Sequence, residues 1–194
     1  MPFKDYWMTN SGPLMDLMQA FYFKFFGISW NSLVLNASIF NVIFTLNTYF
    51  FCKLLNTDNL SKIFLPLCAA TIMYPSSGTP LIDYHSIIVS MVGLTYFLYF
   101  LNKKNFFLLG FTPFFFVIAL FFKQVPSFYI ALIILAISLF LLFKKEKKVF
   151  FSQIIGSLII IILSLILFNF LDIKIINIYE QYIVMPLSEY SFRE

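Results

Sequence analysis

Long apolar runs alternate with short polar stretches along most of the chain. Runs of this length predict membrane-spanning helices, because a helix needs about 20 apolar residues to cross a hydrocarbon core. The predicted spans are residues 30–55, 60–74, 81–101, 106–122, 127–143 and 149–171. The polar stretches between them predict turns at residues 56–59, 102–105, 123–126 and 144–148, with a longer polar stretch at 74–85.

Two features inside the spans indicate how the helices pack. Pro113 is expected to bend the fourth span, since proline removes a backbone hydrogen-bond donor. The asparagines of the first span do not form one stripe, and we expect some of their amides to bond to neighbouring helices. They are Asn31, Asn36, Asn41 and Asn47.

The segments that flank these spans are more polar. Pro13 opens a predicted helix over residues 14–26, and Gly27 ends it. With a rise of about 20 Å, this helix is too short to cross a core of about 30 Å, so we interpret it as an interfacial helix. Residues 172–194 are polar and aromatic and predict a second surface segment.

Composition supports a membrane protein. Hydrophobic residues make up 61% of the chain and charged residues 11%, whereas a soluble domain has about 25% charged residues. We predict an all-α, polytopic transmembrane helical bundle of about six spans in one domain, residues 1–194. Residues 1–29 form its first outer segment, residues 30–171 its spans and residues 172–194 its outer juxtamembrane segment.

The basic residues predict the orientation. Eight of the thirteen Lys and Arg residues lie in the turns at 53–62, 103–104 and 144–148, against only Asp58 and Glu146. Short basic loops stay cytoplasmic. The predicted cytoplasmic face is therefore +6 (8 − 2), and the opposite face, with five basic residues and seven acids, is −2. The stretch at 74–85, Lys123 and both termini then lie outside.

Several classes of soluble protein are disfavoured. Cys52 and Cys68 lack metal-ligand spacing and lie at or within apolar runs, so we predict neither a disulfide nor a zinc site. The sequence has no Ser-His-Asp arrangement, glycine-rich phosphate loop or CxxC pair, which disfavours hydrolases, NTPases and redox enzymes. The net charge of +4 comes from lysines gathered between apolar runs, a pattern that does not indicate nucleic acid.

The stretch at 74–85, Y-P-S-S-G-T-P-L-I-D-Y-H, concentrates the polar chemistry. It holds the only histidine of the chain, His85, two residues after Asp83. Its two prolines and its glycine interrupt a helix. We interpret it as a loop that caps a helix pair and lines a water-filled site. A structural interpretation stays open, in which Asp83 caps the next helix and His85 is a satisfied interface residue.

Four stretches together resemble the outer loops of the GT-C class of membrane glycosyltransferases, in the group of dolichyl-phosphate-mannose protein mannosyltransferases and aminoarabinose transferases. Their order and shared side of the membrane carry the resemblance, since each motif alone is weak. They are P-F-K-D-Y-W with G-P-L-M-D-L-M-Q-A-F-Y-F-K-F-F-G-I-S-W in residues 2–30, Y-P and L-I-D-Y-H in 74–85, F-F-K-Q-V-P in 121–126, and I-Y-E-Q-Y-I-V-M-P-L-S-E-Y-S-F-R-E in 178–194.

The resemblance implies an enzyme of the bacterial inner (plasma) membrane that acts in the cell envelope. Such an enzyme transfers a sugar from a polyprenyl-phosphate donor to a glycan, lipid or protein acceptor outside the cytoplasm. The acid that follows the first membrane helix of the family is not in this chain, and Ser11, Gly12 and Pro13 stand where a Lys-Pro pattern is common. We therefore expect a piece of a longer enzyme, or a reading frame begun at an internal methionine, inactive alone.

The resemblance also implies roles for single residues. Lys123, with Gln124 beside it, would meet the lipid phosphate, and Arg193 would be a second phosphate ligand, because guanidinium can grip phosphate with two parallel bonds. The alternative for Lys123 is a lysine that snorkels to the interface. Asp83 and His85 would orient a sugar or hold a divalent cation, although two ligands make an incomplete set and no metal site is assigned.

The remaining candidates lie in the outer segments. Asp5 would sit near the same pocket as a catalytic acid, and the alternative is a solvated loop acid. The sugar hydroxyls would bind Glu180, Glu189 and Tyr190, and the alternative for each is a solvated helix face. Two other function classes are open, a small transporter or channel subunit and a non-catalytic membrane scaffold. Transport needs polar groups at mid-membrane depth, whereas the ionisable groups here lie at span ends.

Overall fold

The computed structural model describes residues 12–75, 78–170, 172–180 and 184, and within them all regular structure is helical. This confirms the all-helical prediction for that part of the chain. The helices are α1 (Pro13–Phe26), α2 (Trp30–Leu54), α3 (Asn59–Ile72), α4 (Ile82–Asn102), α5 (Phe106–Leu109), α6 (Thr112–Phe122), α7 (Gln124–Phe143), α8 (Lys147–Phe170) and α9 (Ile175–Tyr179).

Four of these helices are long and apolar enough to cross a membrane. They are α2, α4, α7 and α8, with 25, 21, 20 and 24 residues. The predicted spans at 60–74 and 106–122 are also helical, but α3 has 14 residues and the second run is divided into α5 and α6. The long apolar helices expose much of their surface, including Ile155, Ile159 and Ile162 of α8. A surface of this kind suits lipid and not water.

From α2 to α8, successive helices run in alternating directions, except that α5 and α6 follow one another in the same direction, and this gives the bundle two distinct ends. At one end, the Tyr96 hydroxyl donates to the Leu108 carbonyl between α4 and α5. At the other, the Ser86 hydroxyl reaches the carbonyl oxygens of Ala119 and Lys123. We call the first end, with the turns at 55–58, 103–105 and 144–146, the basic end. We call the second, with the start of α4 and Lys123, the site end.

The predicted bend at Pro113 is a complete break. Helix α5 ends at Leu109 and α6 begins at Thr112, with Pro113 in the first turn of α6, where its missing N–H leaves no bond unmade. At this break α8 crosses very closely. A Cβ atom added to Gly156 would lie 1.8 Å from the Gly110 carbonyl oxygen. The break therefore coincides with a backbone contact that the apolar pattern does not reveal.

The turn predicted at residues 123–126 is shorter in the structure than the sequence suggests. Helix α7 begins at Gln124, because Pro126 lies in its first turn and is tolerated there. Only Lys123 interrupts the helices, with extended backbone angles of φ −158° and ψ 140°. The chain thus changes direction between α6 and α7 at a single residue, Lys123, whose ammonium group is the charge at this end of the helices.

Helix α1 packs on the bundle. It begins at Pro13 and ends before Gly27, whose φ of 77° is unfavourable for other residues, as the pattern predicts. Met15 packs in a buried cluster with Phe40 of α2, Ile88 of α4 and Phe122 of α6. Helices α1 and α2 therefore form an antiparallel hairpin over the site end. Whether α1 also touches a membrane interface stays a prediction.

Candidate functional site

Lys123 and Asp83 form an ion pair at the site end. The Lys123 Nζ atom lies 2.8 Å from Oδ1 and 3.0 Å from Oδ2 of Asp83. The lysine comes from the corner between α6 and α7, and the aspartate from the first turn of α4. Their side chains are 35% and 51% exposed, so solutes can reach both. Exposed pairs of this kind contribute about 0.2–1 kcal/mol to stability, and the fold does not depend on this one.

Two serine hydroxyls hold the backbone of Lys123. The Ser86 Oγ atom lies 2.8 Å from the Lys123 carbonyl oxygen and 3.1 Å from that of Ala119, so its one hydrogen is shared. Ser127 Oγ lies 3.1 Å from the Lys123 oxygen and 2.9 Å from that of Gln124. Both serines are fully buried. The Lys123 carbonyl, which lies at the break between α6 and α7, thus accepts hydrogen bonds from both serines. These bonds fix the backbone position from which the lysine side chain extends.

The start of α1 is anchored at the same corner. The Gly12 N–H donates to the Phe122 carbonyl oxygen over 2.8 Å. A Cβ atom on Gly12 would lie 1.8 Å from the Phe121 oxygen, so only glycine allows this approach. The start of α1 is therefore tied directly to the residues that precede Lys123.

A chain of hydrogen-bonded polar side chains lies at the site end, with His85 and Asn36 buried and Gln19 half-buried. His85 is 1% exposed, and its ring centroid lies 3.8 Å from that of Phe40. Its Nδ1 atom lies 2.9 Å from the Leu81 carbonyl oxygen, and its Nε2 atom 3.1 Å from Asn36 Oδ1. Asn36 Nδ2 donates to Gln19 Oε1 over 3.0 Å. The chain thus connects α4, α2 and α1.

The hydrogen positions in this chain depend on the charge of His85. The Leu81 oxygen can only accept, so Nδ1 carries a proton. A histidinium also donates from Nε2 to Asn36 Oδ1. A neutral ring instead accepts at Nε2, which requires the amides of Asn36 and Gln19 to turn over together. In the orientation with Oδ1 toward His85, Gln19 Nε2 finds no hydrogen-bond partner among the described residues.

Asp83 and His85 do not share a face of α4. Residues two apart on a helix point in different directions, and here Asp83 is exposed while His85 is buried. Both ring nitrogens of His85 are occupied by protein, which favours the structural interpretation of that residue. Asp83 is not a helix cap either, since Leu81 is the N-cap of α4. Its partner is Lys123.

The other predicted site residues are less well placed. Gln124 is half-buried and begins α7, and Glu180 is half-buried directly after α9. Phe168 near the end of α8 packs against Phe121, with ring centroids 6.1 Å apart, so α8 ends at the site end. Four candidates lie outside the described residues. They are Asp5, Glu189, Tyr190 and Arg193.

The described residues offer no cluster of metal ligands. No three His, Cys, Asp or Glu side chains come together in the described ranges, and Asp83 is the one carboxylate beside Lys123. Cys52 and Cys68 are both free. The arrangement can bind an anion at Lys123 and accept a proton or hydrogen bond at Asp83.

Sequence reasoning missed the residues that position the pair. Ser86, Ser127 and Gly12 carry no motif, although Ser86 lies one helical turn after Asp83. The expected inter-helix amide bonds do occur, at Asn36 and also at Asn41, whose Nδ2 donates to the Ala70 carbonyl oxygen over 2.9 Å. Which asparagines face inward follows only from the packing.

No family model, curated protein or solved structure matches the chain. The resemblance to GT-C enzymes therefore stays a prediction based on the four stretches described above.

Proposed function

We propose that this chain is part of a GT-C-type membrane glycosyltransferase and binds the phosphate of a polyprenyl-phosphate sugar at the site end. The observation that carries the proposal is the solvent-accessible Lys123–Asp83 pair at the end of a membrane helix. A cation at this depth meets lipid phosphates, while the apolar faces beside it suit the polyprenyl chain.

The proposed topology has six passes. Helices α2, α4, α7 and α8 are the four long ones. Helix α3 and the divided pair α5 and α6 would each return the chain from the basic end to the site end and complete the six crossings. Because α3 has only 14 residues and rises about 21 Å, its crossing requires a locally thinner bilayer or part of the flanking turns. The basic turns then face the cytoplasm, and Lys123 faces outward.

The chemistry follows from exchange of partners at Lys123. The donor phosphate replaces Asp83 on the ammonium, and Lys123 stabilises the negative charge that grows on the phosphate as the bond from the sugar carbon to the phosphate oxygen breaks. Asp83, released from its pair, accepts the proton of the acceptor hydroxyl while that oxygen bonds to the sugar. The products are the glycosylated acceptor and polyprenyl phosphate.

The experiment separates binding from transfer in the full-length protein. Binding of undecaprenyl phosphate is measured by native mass spectrometry. Transfer is measured in membranes with undecaprenyl phosphate that carries radiolabelled mannose or aminoarabinose. Lys123→Ala should weaken phosphate binding by about 10- to 100-fold, the loss of one charge-assisted bond. Lys123→Arg should keep most of it.

Asp83→Asn should behave differently from Lys123→Ala. It leaves the lysine free, so phosphate binding should be retained, while transfer should fall by about 100-fold or more because the base is lost. Lys104→Ala, at the basic end, is the matched control and should change neither quantity. If Lys123→Ala and Asp83→Asn both transfer sugar at the wild-type rate, the proposed site is wrong.

A transporter is the second candidate, and the buried chain of His85, Asn36 and Gln19 favours it. His85 and Asn36 are buried in the bundle and Gln19 is half-buried, and their hydrogen bonds can reverse direction with the charge of His85, as a proton path requires. Proton flux into proteoliposomes, reported by a trapped pH-sensitive dye, tests this function. Flux that His85→Gln abolishes would support transport, whereas absence of both flux and sugar transfer would leave a scaffold.

A further inference from the structure

A groove lies between α6, α7 and α8, and extends from the middle of these helices toward the basic end. Its volume is about 440 Å³, within the roughly 300–1,000 Å³ of ligand-binding pockets. It is partly open to the surroundings. The walls include Phe116 of α6, Ile134 of α7 and Ile154 of α8. These apolar walls make the groove suitable for a hydrocarbon chain.

The groove also contains polar groups near one end. Ser138 lines it and is 1% exposed, and its Oγ atom has no hydrogen-bond partner within the described part of the chain. Gln153 and Ser157 of α8 face the same space. A buried hydroxyl without a partner is unfavourable. An occupant with an oxygen acceptor at this depth would satisfy it.

The charges at the adjacent turn indicate the rest of the occupant. Ser138 lies five residues before the end of α7 at Phe143, or roughly 8 Å below it. Beyond Phe143 come four exposed lysines and a single acid, Glu146. Lys147 lies three residues before Phe150 and so projects from the same side of α8, and Phe150 lines the groove. The lysines are Lys144, Lys145, Lys147 and Lys148.

We propose that the groove binds an anionic phospholipid from the leaflet at the basic end. One acyl chain fills the apolar part, an ester carbonyl accepts the Ser138 hydroxyl, and the phosphate lies among the lysines. Charge complementarity favours an anionic head group.

A protein helix is a poorer fit. Phe116, Ile134 and Ser138 are already 7% or less exposed at the groove floor, which leaves a narrow cleft. A helix with its side chains is about 10–12 Å across and could not reach the Ser138 hydroxyl. An acyl chain can.

Fluorescence quenching by brominated lipids tests the proposal. Phe150→Trp places a reporter in the groove after Trp7→Phe and Trp30→Phe remove the native tryptophans. The protein is reconstituted with brominated phosphatidylglycerol or brominated phosphatidylcholine in otherwise identical bilayers. We expect the anionic lipid to quench at a lower mole fraction. Replacement of each lysine by glutamine should reduce this preference by up to about fivefold.

The controls distinguish the groove from the general lipid surface. Ile133→Trp, exposed on α7 outside the groove, should be quenched equally by both lipids. Ser138→Ala should weaken quenching by either lipid at Phe150→Trp by about two- to tenfold, since it removes one hydrogen bond. Because Lys123 does not line the groove, Lys123→Ala should leave these results unchanged.

Two outcomes would overturn the proposal. One is equal quenching by the two lipids at Phe150→Trp, which would make the groove an ordinary lipid contact. The other is loss of quenching at that position together with a dimer in analytical ultracentrifugation, which would assign the groove to a second copy of the chain. Native mass spectrometry of the wild-type protein tests lipid binding independently, and it should detect phosphatidylglycerol that stays bound to the protein.

Discussion

At the scale of single residues, the buried amide of Asn36 joins three helices. It contacts His85 of α4 and Gln19 of α1 from its position on α2. Such a network is stabilising when its members are paired and costly when one is removed, because the remaining polar groups have no water to replace the lost partner. The consequences can be measured with conservative substitutions.

Asn36→Leu should lower the free energy of unfolding by about 1–3 kcal/mol, since it leaves His85 Nε2 and Gln19 without their partner. Steric trapping in bicelles measures this quantity. Asn31→Leu, an exposed asparagine on the same helix, is the matched control and should change stability by about 0.5 kcal/mol or less. Equal effects of the two substitutions would contradict the importance of the buried chain.

The pattern of polar residues anticipates part of this arrangement. Asp83 and Lys123 can be recognised as candidate site residues from the sequence because charged residues are rare in the chain. The alternating direction of the predicted spans places both residues at the same end of the bundle. Their contact at 2.8 Å was not predictable, because it depends on where the corner at Lys123 falls in the packing. The burial of His85 has the same origin, since two residues along a helix change a side chain from exposed to buried.

At the scale of elements, the contact between Gly156 and Gly110 determines how closely α8 approaches the break between α5 and α6. In an exposed helix, alanine in place of glycine stabilises by up to about 1 kcal/mol. Here the added Cβ atom would overlap the Gly110 carbonyl, and backbone cannot move aside as a side chain can. The sign of the effect should therefore reverse.

Gly156→Ala should lower the free energy of unfolding by about 1–3 kcal/mol or more, the usual cost of overpacking. The measurement is again steric trapping. Ile159→Ala, on the exposed side of α8, removes more atoms but should have a smaller effect, because lipid replaces the lost contacts. A neutral or stabilising Gly156→Ala would show that α8 does not cross the break so closely.

The start of α3 provides a test of pH dependence outside the four long helices. Asp58 accepts from the Ser61 hydroxyl over 2.6 Å and from the Ser61 N–H over 2.9 Å. The bond from the Ser61 hydroxyl, followed by that from its backbone, lowers the pKa of Asp58 below its ordinary value. A carboxyl whose pKa is lower when folded stabilises the fold above its unfolded pKa, and this contribution is lost as the pH falls through the folded value.

The first turn of α3 should therefore lose protection from hydrogen exchange as the pH is lowered from about 5 to about 2, from above the ordinary carboxyl pKa through the lower folded value. The Ser61 amide is the group to follow by mass spectrometry, with rates corrected for intrinsic pH dependence. Asp58→Asn keeps an acceptor but has no proton to gain, so its protection should not change with pH. Identical pH profiles in the two proteins would exclude the carboxylate as the cause.

At the scale of the whole molecule, the two ends differ in charge and in chemistry. The basic end carries the lysine-rich turns, and the groove opens toward it, whereas the site end carries the ion pair and the polar chain of His85, Asn36 and Gln19. Short basic loops remain on the cytoplasmic side, so the molecule should have one orientation in the membrane.

Cysteine labelling in intact cells measures this orientation. In a background with Cys52→Ala and Cys68→Ala, membrane-impermeant maleimide should label Asp83→Cys and Val125→Cys. It should label Lys104→Cys and Lys145→Cys only after the cells are opened, since these positions lie in or beside the basic turns. Labelling of all four positions from one side would contradict both the six-pass topology and the proposed site.

The amino-acid sequence by itself determines the helical nature of this protein, the approximate limits of its helices and its preference for lipid, because apolar run length and turn chemistry are local properties. Tertiary structure decides the rest. The break at Gly110, the one-residue corner at Lys123, the burial of His85 and the groove at Ser138 all depend on which helix faces meet. That choice is made by side-chain packing and backbone approach between residues distant in the chain, about which an apolar pattern with little periodicity carries almost no information.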